Sequence, residues 1–336
     1  MRARRCTPSV ALAGALAALA ALAAPVVAAS DRAGADTLPG APGCPILPAD
    51  NVWNTPVASL PVDPRSASYI ASIGATDPLH PDFGSGLYDG APIGIPITVV
   101  PGSQPAVPVS FTDASQSDPG PYPIPPDAKV EGGRRSTGDR HVLVVDTGTC
   151  TDYEMWAAYP VGGGTSWTAG SGAVFDLGSD TLRPAGWTSA DAAGLPILPA
   201  LVRPDEVAAG VIDHALRVTV PSTDDRYIWP ARHQAGTADP ALPPMGLRLR
   251  LKAGVDISKF PEDDRVILQA LKTYGMIVAD NGSPWFIQGI PSSLWNNTTL
   301  HDLTAITGSD FDVVDESCLM VSPNSAAADP ADCPRG

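Results

Sequence analysis

The chain has 336 residues, 44% of them hydrophobic, and carries a formal charge of −15. Its length suffices for one large domain or two small ones. Its acidity argues against a nucleic-acid partner, an anionic membrane surface and a strongly polyanionic substrate.

In chain order, Arg2, Arg4 and Arg5 precede an apolar run over 10–24, and Val27-Ala28-Ala29 supplies small residues at a cleavage position. This grammar predicts a secretory signal peptide over 1–29 and a secreted, extracellular protein. The run is short for a membrane span, and no other segment approaches the roughly 20 apolar residues a span needs. Removing those three arginines from the 21 basic residues leaves 18 against 36 acidic ones, a charge of −18. Residues 30–43, rich in Gly, Pro and Ala, read as a disordered leader. A single β-rich domain is expected over 44–318, followed by a C-terminal tail over 319–336.

Beyond the signal stand Cys44, Cys150, Cys318 and Cys333. An even number in an exported chain predicts two disulfides. Closeness in sequence favours Cys318 with Cys333, and so Cys44 with Cys150, while the other two pairings stay open. No Cys-x-x-Cys spacing suggests zinc.

Short strands broken by turns are expected over 50–120. One is "IGIPITVV" (93–100), which Pro96 confines to an edge or a bulge. "PGPYPIPP" (119–126) reads as a stiff extended connector. Runs at 141–146, 150–159 and 167–177, joined by turn residues, predict an antiparallel meander. Helices are expected over 204–216 and 261–274, each with Pro near its start, acids in the first turn and an apolar stripe. Asn281-Gly282 predicts a hairpin between 276–279 and 285–288. Further strands are expected at 216–220, 227–229 and 247–251. The sum is a mainly β chain: an antiparallel β-sandwich or jelly-roll-like domain with two or three attached helices.

No metalloprotease, P-loop, dinucleotide, EF-hand or nucleophile-elbow motif occurs. No cofactor and no metal are therefore expected, and carboxylate chemistry or proton transfer remains. Alternation puts Asp152, Glu154 and Trp156 on one face of a strand. An indole stacks on a pyranose while a neighbouring acid serves the glycosidic centre; the plainer alternative is a solvated edge. Asp139-Arg140-His141 lies just before a buried strand, where a scaffold fixes polar groups beside solvent. In "YIWPARH" (227–233), Trp229 offers a platform, Arg232 a grip on a carboxylate or sugar hydroxyl, and His233 a proton-transfer group. "DNGSPW" (280–285) is ordinary hairpin chemistry, with Trp285 as a further stacking surface. In "GWTSADAAG" (186–194), Thr188 and Asp191 resemble the capping box of a one-turn helix ended by Gly194. That leaves Trp187 as a platform and Asp191 as a second carboxylate. His214 reads as a packed core histidine.

Several phrases together, "DNVWNTPV" (50–57), "GDRHVLVVD" (138–146), "AGSGAVFDL" (169–177), "GWTSADAAGLP" (186–196), "IDHALRVTV" (212–220), "YIWPARH" (227–233) and "LQALKTYGMIVADNGS" (268–283), resemble a family of exported proteins of soil bacteria. The resemblance implies one secreted domain from about 44 to 318 and carries over no catalytic residue.

These readings converge on a secreted, monomeric glycan-active enzyme, a glycoside hydrolase acting on an extracellular polysaccharide. Glu154 is the expected acid/base, and Asp191 or Asp139 the second carboxylate. His233 and Arg232 orient substrate, and Trp156, Trp187, Trp229 and Trp285 stack on it. Two alternatives stand beside this: a polysaccharide lyase using His233 and Arg232, and a non-catalytic carbohydrate-binding protein of the cell envelope.

Overall fold

Val142–Asp146, Thr151–Trp156 and Ser171–Asp176 pair antiparallel in the computed structural model, giving the expected meander, although the runs expected over 150–159 and 167–177 each break into two strands that pair in different sheets. The structure describes Met1 and residues 37–334, so the expected signal peptide and the first part of the leader lie outside the described residues. Ile97–Val100 adds a parallel edge strand to the meander, completing a four-stranded sheet. Pro96, which has no N–H to donate, sits at the start of this edge strand, where it interrupts no ladder.

A second sheet of six strands has the order Phe311–Val314, Arg248–Leu251, Met276–Asn281, Leu216–Val220, Phe286–Gln288, His80–Asp82. A third, of three strands, joins Tyr159–Val161, Ser166–Ala169 and Val109–Phe111. The chain is mainly β with a few attached helices. Each of these three sheets contains at least one parallel pair, so the pairing is mixed and not antiparallel throughout.

Three local expectations are corrected. Residues 227–229 form no strand, and Tyr227 makes only an isolated bridge with Met245. Met276–Asn281 and Phe286–Gln288 do not form a hairpin, because Leu216–Val220 lies between them, parallel to the first and antiparallel to the second. The helix expected over 204–216 stops at Ala209, where Gly210 takes the left-handed conformation (φ 79°) that suits a glycine. The later helix is present as Glu262–Thr273, with three acids in its first turn, Lys272 in its last, and Ile267, Leu268 and Leu271 buried. Helices Ser66–Ile73 and Asn297–His301 were not foreseen.

A large core surrounds the six-stranded sheet, joining Trp53, Tyr69, Leu216, Val218, Leu268, Met276 and Trp285. The four-stranded sheet has cores on both faces: Leu143 and Val145 meet Ile197, Leu198 and Leu201 on one, and Val142 and Val144 meet Tyr122, Met155 and Trp167 on the other. Both disulfides have the favoured pairing, Cys44–Cys150 and Cys318–Cys333. Residues 37–45, read up to 43 as leader, instead form a small two-stranded hairpin that buries Leu38 and Ala41. Their apolar side chains find the core that a disordered reading denies them.

Candidate functional site

The segment "GWTSADAAG" is not a helical turn. It is a loop held between the two large sheets. From the four-stranded sheet, Ser171 Oγ donates to Ser189 O (2.6 Å), and His141 Nε2 donates to Ala190 O (3.1 Å). From the six-stranded sheet, Arg217 Nε donates to Asp191 Oδ2 (2.9 Å) and its Nη2 pairs with Oδ1, a bidentate clamp. Ala193 N donates to Ala279 O (2.9 Å), so the loop also continues the backbone bonding of that sheet. Asp191 N donates to Ser189 Oγ, and Thr188 Oγ1 donates to Asp191 O. The capping-box expectation fails because the Asp191 carboxylate faces Arg217 and not the Thr188 backbone.

Above this floor opens a cleft of about 380 Å³, lined among others by Asp113, Asp139, Trp156, Asp191, His233 and Asp280. Four residues singled out from separate stretches of sequence, Asp139, Trp156, Asp191 and His233, therefore share one concavity. Asp191 is 1% exposed and lies in its floor. Trp156 ends its strand with 39% of its surface open, and its Nε1 reaches Asp139 Oδ1 at 3.4 Å, a long bond. His233 Nδ1 donates to Ala192 O (2.8 Å), which leaves Nε2 as the nitrogen available to a ligand.

Asp280, in the stretch expected to be ordinary hairpin chemistry, lies at the end of the Met276–Asn281 strand and lines the cleft. Burial raises its carboxyl, the nearby Asp191 charge raises it further, and Arg217 and His141 only partly offset them, so that it titrates at about 7. It thus holds a proton through weakly acidic pH, as a general acid must. His141 is fully enclosed. Burial opposes its charged form, but Glu131 Oε2 at 2.7 Å outweighs this and lifts the imidazole to about 9. Both ring nitrogens then donate, one to Glu131 and one to the loop.

Other expected site residues lie elsewhere. Glu154 is entirely buried beneath the 195–201 segment, where it accepts from Ile197 N and Leu198 N (2.8 and 2.9 Å). Asp152, equally buried beside it, is pushed well above the usual carboxylate range by burial and by Glu154. Glu154 braces a turn and has no route to a substrate. Arg232 is buried too. Its guanidinium donates to Arg183 O, Pro323 O and Asn324 Oδ1, tying down the C-terminal segment. Trp285 is enclosed, stacked on Phe311 with Nε1 donating to Gly74 O. Trp229 donates to Ser325 O and Trp187 faces Arg183; neither lines the cleft. His214 is packed as expected, between Glu206 and Ala215 O.

Sequence reasoning missed Arg217 and Glu131. Arg217 carried a signal: a single charge inside the apolar run "LRVTV", which burial would make untenable without a buried anion. Glu131 carried none, because only the chain's return at 141 brings it to its partner.

A second cavity of about 380 Å³ is lined by Trp53, Phe175, Leu182, Asp180 and Arg183 among others. Its charged groups are committed to one another or to neighbours: Asn51 donates to Asp180, and Arg183 pairs with Asp118. It offers packing surface more than chemistry. Among the described residues, no group of three or more His, Cys, Asp or Glu is placed to hold a metal ion. No helix among them is long and apolar enough to cross a membrane. Compared with known proteins, the chain matches no family model, no curated protein and no solved structure.

Proposed function

We propose that the protein is a secreted glycan-active enzyme, a glycoside hydrolase, working in the cleft between the two large sheets. One observation carries this reading: Asp280, a carboxyl that burial and Asp191 push up to about 7, shares a cleft with a half-open indole, Trp156, and a second, exposed carboxyl, Asp139. Trp156 stacks on a sugar ring and sets its depth. Asp280 donates its proton to the glycosidic oxygen as the bond to the anomeric carbon breaks. Asp139 supplies the opposing carboxylate, as base for a water or as nucleophile. Asp191 and Arg217 stay out of the reaction; their pair fixes the floor and the field in which Asp280 keeps its proton. The two disulfides suit an oxidising extracellular compartment.

The test is release of reducing ends from a panel of neutral, amino-sugar and uronic-acid polysaccharides. Activity on at least one is expected, with kcat reduced about 100-fold or more in Asp280→Asn and KM raised in Trp156→Ala. Binding without any release of ends by the wild type would leave the carbohydrate-binding alternative. Neither binding nor cleavage would remove the glycan reading.

A further inference from the structure

The cleft is predominantly acidic. Its wall carries the carboxyls of Asp113, Asp139 and Asp280, with Asp191 in the floor beneath, and among the described residues lining it His233 is the one basic side chain. The cations beneath are engaged: Arg217 with Asp191, His141 with Glu131. The hydroxyls turn inward as well, Ser171 to Ser189 O, Ser189 to Leu195 O and Thr188 to Asp191 O. With Asp280 holding its proton and Asp191 taken by Arg217, the carboxyls the wall offers a cation are Asp113 and Asp139, the most exposed of the four.

Beside Asp139 stands the indole of Trp156, and its pose has a clear cause. A Cβ at position 170 would lie 2.2 Å from Trp156 Cε3 and 2.4 Å from Cζ3. Only a glycine there lets the ring lie against the backbone, one face covered, with the rest of its surface open to the cleft. An open aromatic face flanked by a carboxylate recognises an alkylammonium. The ring quadrupole attracts the cation, and the carboxylate takes its hydrogen bonds.

We infer that the substrate is a polysaccharide of amino sugars with free amines, held by Trp156 on the seat made by Gly170 and by the carboxylate of Asp139. This rests on the glycan reading above and narrows it. A uronic-acid chain would meet like charge with no cation to receive it. A neutral chain would stack on Trp156 yet leave the acidic wall without a counterion. The acidity of the whole chain adds long-range attraction for a polycation.

Calorimetric binding at mildly acidic pH, where the amines are charged, decides this. The probes are the hexamers of glucosamine, N-acetylglucosamine, glucose and galacturonate. The wild type is expected to bind the glucosamine hexamer at least about tenfold tighter than either neutral one. That affinity should weaken between about 0.05 and about 0.5 M salt. It should also fall in Asp139→Asn, Trp156→Ala and Gly170→Ala. Equal affinity for the neutral hexamers, or binding of galacturonate, overturns the amine preference. The glycan reading survives that outcome if Trp156→Ala still abolishes neutral binding, and falls with it if no hexamer binds. Glucosamine binding undiminished in the Asp139 and Trp156 variants would be adsorption to an acidic surface, and also overturns the inference.

Discussion

Asp280 and Glu154 show how two carboxyls on strands come to opposite fates. Alternation correctly puts Glu154 on the same strand face as Trp156, but alternation does not say how far along the strand that face stays covered. The 195–201 segment bonds to Glu154 and leaves it fully buried, whereas Trp156, two residues on, is open. Replacing Glu154 by Ala removes the acceptor for two buried backbone N–H groups and is expected to cost about 2–4 kcal/mol of stability. Urea unfolding measures that cost, and glycan affinity per folded molecule should not change. Asp280 was legible only as a turn residue, because its environment is made by Asp191, Arg217 and His141, all distant in sequence. The same limit explains Arg232 and Trp285. Their types suit a site, but their type says nothing about which side of a packed segment they occupy.

At the scale of elements, the 188–195 loop is the piece on which the site depends. It carries no regular structure, yet both sheets hold it. Arg217→Met would leave the Asp191 carboxylate buried and unpaired, at an expected cost of about 3–5 kcal/mol. Adding Asp191→Asn to that variant should recover much of the loss, which a double-mutant cycle in urea unfolding would register. Full additivity of the two single changes would mean that the clamp does not bear on the loop. The strands and the later helix were readable because their periodicity is local: the meander, the Glu262–Thr273 helix and the edge strand after Pro96 all match. The false hairpin at Asn281-Gly282 failed for a non-local reason. Leu216–Val220, a strongly apolar strand from far upstream, fills the place between its two arms.

For the whole molecule, most of the strongly shifted buried groups set one direction with pH. Burial raises Asp280 to about 7, burial with Asp302 and Asp263 raises Asp264 to about 7, and burial opposed in part by Arg248 raises Glu316 to about 7. Each holds its proton more tightly folded than unfolded, so its contribution is full below pH about 4 and is lost as pH rises through about 7. His141, raised to about 9 by Glu131 against burial, contributes fully below pH about 6.5 and loses that contribution as pH rises through 9. Glu131, which burial pushes up but His141 pulls below its ordinary value, contributes the opposite limb, lost in acid. The melting temperature should therefore peak near pH 5 and fall by about 5 °C or more towards pH 9. Scanning calorimetry across that range checks it, and a flat profile would show that these groups do not keep their folded environments.

The most direct measurement is a carbon-13 NMR titration of the Asp280 carboxyl in the intact protein, assigned by its loss in Asp280→Asn. The cleft between the sheets is expected to give a midpoint near 7, falling when Asp191→Asn removes the neighbouring charge. A midpoint near 4, the ordinary value for a solvated aspartate, would contradict a proton donor at this position.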